Sequence, residues 1–298
     1  MRIGIHLPTN ESGPLSYREM AALAEDTGFD SLWLSDHTVL VREVVSRYPF
    51  SDDGRLFQAP DTDWYDWLVT LAFLAATTTR IRLGVCVTIL PLRHPLALAK
   101  QVATLDRLSG GRVTLGVGTG WLAEEFAALD VPFAGRGART DGAIDLLRAA
   151  WTGSPVAGEY GPFQQPPGVE VRPTPTQHRL PILVGGAGDR VVRRVVARGD
   201  GWLGTSVGGR MTPTELRSMV AKLARECERA GRELTDLDVA VRLAAPARQV
   251  GTNEYGDWLA ELAAAGATSM SFDVAWHDAG RVRETLSALR HVMVGAST

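Results

Sequence analysis

Short runs of β-branched and aromatic residues recur along the chain. Each is followed by a longer stretch whose apolar positions fall three and four apart. RIGIH (2–6) is the first such run, and YREMAALAEDTG (17–28) follows it with helical spacing and a stop at Gly28. FDSLWLS (29–35) then reads as a second strand. Periods near 2 and near 3.6 residues distinguish strands from helices in sequence. The same pattern predicts strands over 80–90, 112–118, 181–186, 200–205, 238–244 and 267–272. Helices are predicted over 64–78, 95–109, 139–151, 191–199, 212–231, 258–266 and 278–293. Gly28, Gly199 and Gly266 stand between a helix and the next strand, where a left-handed C-cap is expected.

Eight strands with helical crossovers predict an α/β fold of the (β/α)8 TIM-barrel type. An open doubly wound sheet is the competing arrangement. It has less support because the first crossover lacks a GxGxxG phosphate loop. Two irregular stretches interrupt the rhythm, at 38–62 and 153–180, and neither is biased enough in composition to be a linker. The expectation is one domain, 1–298, with insertions. In such a barrel the C-terminal strand ends share one mouth, so a polar residue just past a strand is a candidate for chemistry.

Composition narrows the classes. Of 298 residues 45% are hydrophobic, enough for a large core, and 22% are charged with a formal net charge of -3. No basic block stands out, which argues against a nucleic-acid surface. Two cysteines and six scattered histidines predict neither a disulfide scaffold nor a zinc site. The chain opens directly in a strand-like segment, and it has no 18-residue apolar run. A cytoplasmic protein without a membrane segment is expected.

The strand ends carry the candidate chemistry. Asp36 and His37 follow the second strand, and an imidazole there can exchange a proton near neutral pH. Asp36 could cap the loop or orient a partner. Gly84 interrupts a β-branched strand, which suits close approach of a flat ring or packing beside a helix. Cys86 lacks an activating neighbour and reads as a small buried hydrophobe. Arg93 and His94, just before Pro95, could meet an anion or serve the fold. GVGTGW (116–121) offers accessible backbone, the Thr119 hydroxyl and the broad face of Trp121. GGAGDR (185–190) is the stronger anion cradle, because a glycine-rich turn leads into a helix N-terminus. Arg190 could add charge there, and Asp189 could cap the helix.

Taken in order, SLWLSDH (31–37), LGVCVTILPLRHP (83–95), LDRLSGGRVTLGVGTGW (105–121) and PILVGGAGDRVVRRVVARGDGW (181–202) resemble the luciferase-like monooxygenase superfamily. The resemblance is to its deazaflavin F420-dependent oxidoreductase branch. It is strongest over 1–205 and looser beyond. It implies a barrel with an extended cofactor across its C-terminal mouth and hydride transfer through C5 of F420. FMN and a monooxygenase reaction are the alternative, and a barrel without turnover that only binds ligand is a second one. The resemblance places His37 at the reacting ring, with Asp36 beside it. It assigns Gly118, Thr119 and Gly120 to the strand-four loop. Gly185, Gly186, Ala187 and Gly188 form the phosphate segment. It puts Cys86 and Val87 behind the ring, joined by a cis peptide in some members. Trp121 stands where the sugar-phosphate dehydrogenases of this family carry a glutamate. That departure points away from glucose 6-phosphate and toward an apolar substrate pocket or a ring-packing role for Trp121. A small-molecule substrate and a homodimer are what the resemblance implies for partners.

Overall fold

The computed structural model of the protein describes residues 1–295 apart from 12, 50, 52, 56–60 and 206–210. Asp52 and Pro60, two of the residues that mark 38–62 as irregular, lie outside the described residues. The barrel strands are β1 (Arg2–His6), β2 (Ser31–Leu34), β3 (Arg82–Ile89) and β4 (Val113–Gly118). After a two-stranded antiparallel ribbon, β5 (Val156–Tyr160) and β6 (Phe163–Val169), the barrel resumes. Its second half is β7 (Ile182–Gly185), β8 (Gly201–Thr205), β9 (Asp238–Ala244) and β10 (Ser269–Asp273). The eight close in the order β1-β2-β3-β4-β7-β8-β9-β10, every pair parallel. The expected (β/α)8 barrel is therefore present.

The helices are α1 (Tyr17–Asp26), α2 (Trp67–Thr77), α3 (Pro95–Leu108), α4 (Ala123–Ala128) and α5 (Arg136–Trp151), followed by α6 (Asp189–Arg198), α7 (Pro213–Ala230), α8 (Asn253–Ala264) and α9 (Ala279–Gly295). Their starts are written in the sequence. Ser16 and Glu19 form a capping box on α1, and Thr212 and Glu215 form another on α7. Asp66 takes the Leu68 and Val69 amides at the start of α2. Two expectations need correcting. The stretch 153–180 is not wholly irregular, since it holds β5 and β6. Gly199 is not a left-handed cap: its φ is -86°, whereas Gly28 and Gly266 have φ of 85° and 110°. Space explains Gly199 instead. A Cβ there would lie 3.1 Å from both Val184 Cγ2 and the Val195 carbonyl oxygen.

Large apolar side chains on the outer faces of the strands pack against the helices, including Ile3, Ile5, Leu32, Leu83 and Phe272. A smaller group fills the barrel interior: Trp33, Cys86, Leu183, Leu203 and Ala240. Trp33 dominates it. Its indole occupies the room left by Gly4 and Gly84, where added Cβ atoms would fall 2.7 Å from Nε1 and 2.4 Å from Cε3. Gly84 thus makes space for a neighbouring strand's tryptophan, rather than for a ligand ring or a helix. Among the described residues no helix is long and apolar enough to cross a membrane.

Candidate active site

A cavity of about 470 Å3 opens at the C-terminal ends of the barrel strands. Asp36, His37, Cys86 and Val87 line it, as do Gly118, Thr119, Gly120 and Trp121. Gly185, Gly186 and Ala187 complete the far wall. Gly188 lies outside that wall and instead forms the N-cap of α6. The Cys86–Val87 peptide is cis.

His37 does not stand alone. Its Nδ1 lies 2.7 Å from Oε2 of Glu125, a fully buried residue of α4. The other carboxylate oxygen accepts the Thr38 amide at 2.6 Å and the Val39 amide at 3.3 Å. With Nδ1–H donating to the carboxylate, Nε2 is the ring nitrogen left to take up or release a proton. Among the described residues Nε2 makes no hydrogen bond. Trp64 meets the imidazole edge-on with ring centres 4.9 Å apart, and Trp121 does so at 6.2 Å. Tyr48 packs against Trp121 at 5.0 Å. The neighbouring Glu124 holds the Val45 and Ser46 amides, so α4 fastens the strap that carries both His37 and Tyr48.

Asp36 has a different setting. Its Oδ2 accepts the Thr88 hydroxyl at 2.8 Å and the Ile89 amide at 3.0 Å, while Oδ1 receives Arg93 Nη2 at 2.7 Å. A carboxylate so fully engaged fixes the end of β3 against β2. Arg93 is consumed by the same contact and by Asp66. His94 is exposed at the start of α3, against Phe163, and is not part of the cavity wall.

The glycines of the wall serve two purposes. Cβ atoms added to Gly118 and Gly185 would fall 2.5 Å and 2.8 Å from the methyl carbons of Val87. These two residues let Val87 stand against β4 and β7. Gly186, with φ of 115°, turns the chain toward α6, and its carbonyl accepts the Trp202 indole N–H at 2.7 Å. Among the described residues no side chain caps the N-terminus of α6. The Val191 and Val192 amides bond to the Gly188 carbonyl at 3.0 and 3.1 Å, whereas those of Asp189 and Arg190 have no acceptor among the described residues, which suits an anion. Asp189 does not spoil this arrangement, because its exposed carboxylate pairs with Lys222 at 3.4 Å. Arg190 is exposed and away from the wall.

The wall residues that escaped the sequence reading include Tyr48, Trp64, Thr205 and Arg242, and Glu125 behind His37 escaped it too. The Arg242 guanidinium is locked by Asp273 through Nε at 2.9 Å and Nη2 at 2.7 Å, and it donates to Ser35 Oγ at 3.2 Å. Burial opposes its charge, but Asp273 outweighs burial and raises its pKa further. Burial raises Tyr48 to about 12 and Cys86 to about 11, so the thiol is no ready nucleophile. Thr205 Oγ1 is buried in the wall and has no hydrogen-bond partner among the described residues. An orphaned hydroxyl beside an uncapped helix N-terminus fits a cofactor that carries both polar groups and a phosphate.

Comparison with known proteins agrees with this fold. The model of the luciferase-like monooxygenase family matches residues 1–250. An uncharacterized protein of Mycobacterium tuberculosis is 38% identical over 216 residues, 72% of this chain and 73% of that one. The F420-dependent glucose-6-phosphate dehydrogenase of Nocardia farcinica is 31% identical over 248 residues, 82% of this chain and 68% of its own length. Among solved structures, an F420-dependent secondary alcohol dehydrogenase in complex with an F420-acetone adduct superposes with a TM-score of 0.78 at 17% identity, covering 99% and 98% of the two chains. The FMN complex of the oxygenating constituent of 3,6-diketocamphane monooxygenase from Pseudomonas putida gives 0.73 at 14%, covering 97% of each. By fold, motif order and family match, this chain belongs to the luciferase-like monooxygenase family.

Proposed function

We propose that the chain is an oxidoreductase that moves a hydride between C5 of F420 and a small organic substrate in the barrel mouth. The observation that carries this reading is the His37–Glu125 pair on the wall of a cavity that also holds an uncapped helix N-terminus. The similarity to an F420-dependent dehydrogenase at 31% identity favours F420 over FMN.

When bound, the cofactor supplies a carbon that accepts or gives a hydride. The chain supplies the rest. Gly185, Gly186 and Ala187 bring backbone to the phosphate, with the first amides of α6 beyond them. Thr205 offers a hydroxyl along the same wall. Cys86 and Val87, on the cavity wall, would back the ring. His37 Nε2 takes the substrate hydroxyl proton during oxidation, or returns it during reduction, while Glu125 holds the ring in that tautomer and balances the imidazolium. Asp36 acts at one remove, by holding the end of β3 in place.

An anaerobic titration with F420, FMN and NADPH side by side tests the assignment. Saturable F420 binding, followed by an absorbance change on adding substrate, is expected. Tight FMN binding with oxygen consumption would move the protein to the monooxygenase reading.

A further inference from the structure

We propose that the substrate is a neutral, flat, largely apolar ketone or the matching secondary alcohol, and that the site rejects phosphorylated and carboxylated compounds. This deepens the oxidoreductase reading and rests on it.

Two observations carry the proposal. The first is charge. Among the described residues, the charged groups of the cavity wall all have partners in the protein. Asp36 is paired with Arg93, and Arg242 with Asp273. His37 is backed by Glu125. An anionic substrate would therefore find no uncompensated cation, and it would lie near two buried carboxylates. Moving an unpaired anion into such a place is strongly unfavourable. Among the described residues the anion-suited feature is the pair of Asp189 and Arg190 amides at the start of α6, beside the cofactor segment Gly185–Ala187.

The second observation is shape. Trp64, Trp121 and Tyr48 gather around His37 with ring centres 4.9 to 6.2 Å apart and at steep mutual angles. Edge-to-face contacts of this kind leave ring faces to receive a flat guest. Ile89, Val87 and Leu203 add aliphatic wall. His37 Nε2 is the polar atom that the cage surrounds, and the Tyr48 hydroxyl is a neutral group of the same wall. A guest seated there presents one oxygen to the imidazole and the rest of its surface to carbon.

The step balances. In oxidation the carbinol O–H proton passes to Nε2, the C–H hydrogen leaves with its electron pair as hydride to the oxidised deazaflavin, and the C=O double bond forms. Reduction reverses each transfer. No further oxidant or reductant is needed.

Calorimetry on the cofactor-loaded protein, held anaerobic, tests the inference with two probes that differ by one carboxylate: 2-acetylnaphthalene and 6-acetyl-2-naphthoic acid. The neutral ketone is expected to bind about tenfold tighter or more. Trp121→Ala should weaken the ketone about tenfold. Trp121→Lys should shift the ratio between the probes toward the acid. Equal or tighter binding of the acid to the unaltered protein overturns the proposal, whatever the variants do. So does unchanged ketone affinity in Trp121→Ala. Cofactor loading is measured first. Failure to bind either F420 or FMN removes the oxidoreductase reading and this inference with it, whereas normal loading followed by the wrong probe preference removes this inference alone.

Discussion

Glu125 Oε2 and His37 Nδ1 lie 2.7 Å apart, although 88 positions separate them in sequence. The contact decides which face of the imidazole meets the cavity. His37→Ala is expected to lower kcat by roughly 10²–10⁴-fold, with cofactor affinity largely kept. Glu125→Gln should cost much of the same factor for a subtler reason. The Thr38 and Val39 amides demand an oxygen acceptor, so the new NH2 group must face Nδ1. The ring then carries its proton on Nε2 and loses its basic nitrogen on the cavity side. Steady-state kinetics alongside cofactor titration checks both. Unchanged chemistry-limited turnover in Glu125→Gln would remove the pair from the mechanism.

His6 supplies a stability prediction. Burial above all, and then Arg242, lower its pKa from 6.5 to about 3, against an opposing pull from Asp273. The unfolded chain therefore takes up a proton below 6.5 that the folded protein refuses until about 3. The stability that His6 contributes is present above 6.5 and is lost as pH falls through that window. Between pH 7 and 5 the protein should lose about 2 kcal/mol more than a His6→Gln variant. Urea unfolding at the two pH values measures the difference, and parallel losses would contradict it.

A steric prediction concerns Val87. Gly118→Ala would set a Cβ 2.5 Å from Val87 Cγ2, and overpacking of this kind costs roughly 1–3 kcal/mol. Val87→Ala in the same chain should recover most of that loss. A double-mutant cycle followed by thermal unfolding reads the coupling, which should be about 1 kcal/mol or more. Additive effects would mean that Gly118 answers to something other than Val87.

Thr205→Val should have opposite effects on two measurements. Removing a buried hydroxyl that lacks a partner is neutral or stabilising for the protein without cofactor. If that hydroxyl serves the cofactor, affinity for F420 should fall by about tenfold. Differential scanning calorimetry and a binding titration separate the two. Unaltered affinity would show that the Thr205 hydroxyl makes no contact with the ligand.

Much of the architecture was legible because strands and helices differ in period, and because glycines and caps punctuate them. His37, Trp121 and the 185–188 turn stood out as polar or glycine-rich breaks at strand ends. What escaped notice was whatever depends on contacts across the barrel. Glu125 sits in WLAEEFAAL, where it reads as a solvated helix face, yet it is fully buried beneath the strap. Its signal was faint: two carboxylates at the start of a short helix just past a candidate loop. Arg242 lies inside a predicted strand, and only its register opposite Ser271 on β10, two residues short of Asp273, reveals why a charge is tolerated there. Gly84, Gly118 and Gly185 were visible as glycines, but the side chains that require them belong to other strands or to another stretch of the same wall.

Trp33 is more than a core residue. A second cavity, of about 350 Å3, opens at the opposite end of the barrel, and Trp33 and Leu183 form part of its ceiling. The indole is thus a bulkhead between two chambers. Trp33 and Leu183 of one interior cluster face the lower chamber, while Cys86 and Leu203 of the same cluster face the upper one. Gly84 is cut to the outline of that side chain, and Gly4 to the indole together with the Ser31 hydroxyl that accepts its N–H, so a larger residue at 4 or 84 would unseat the partition.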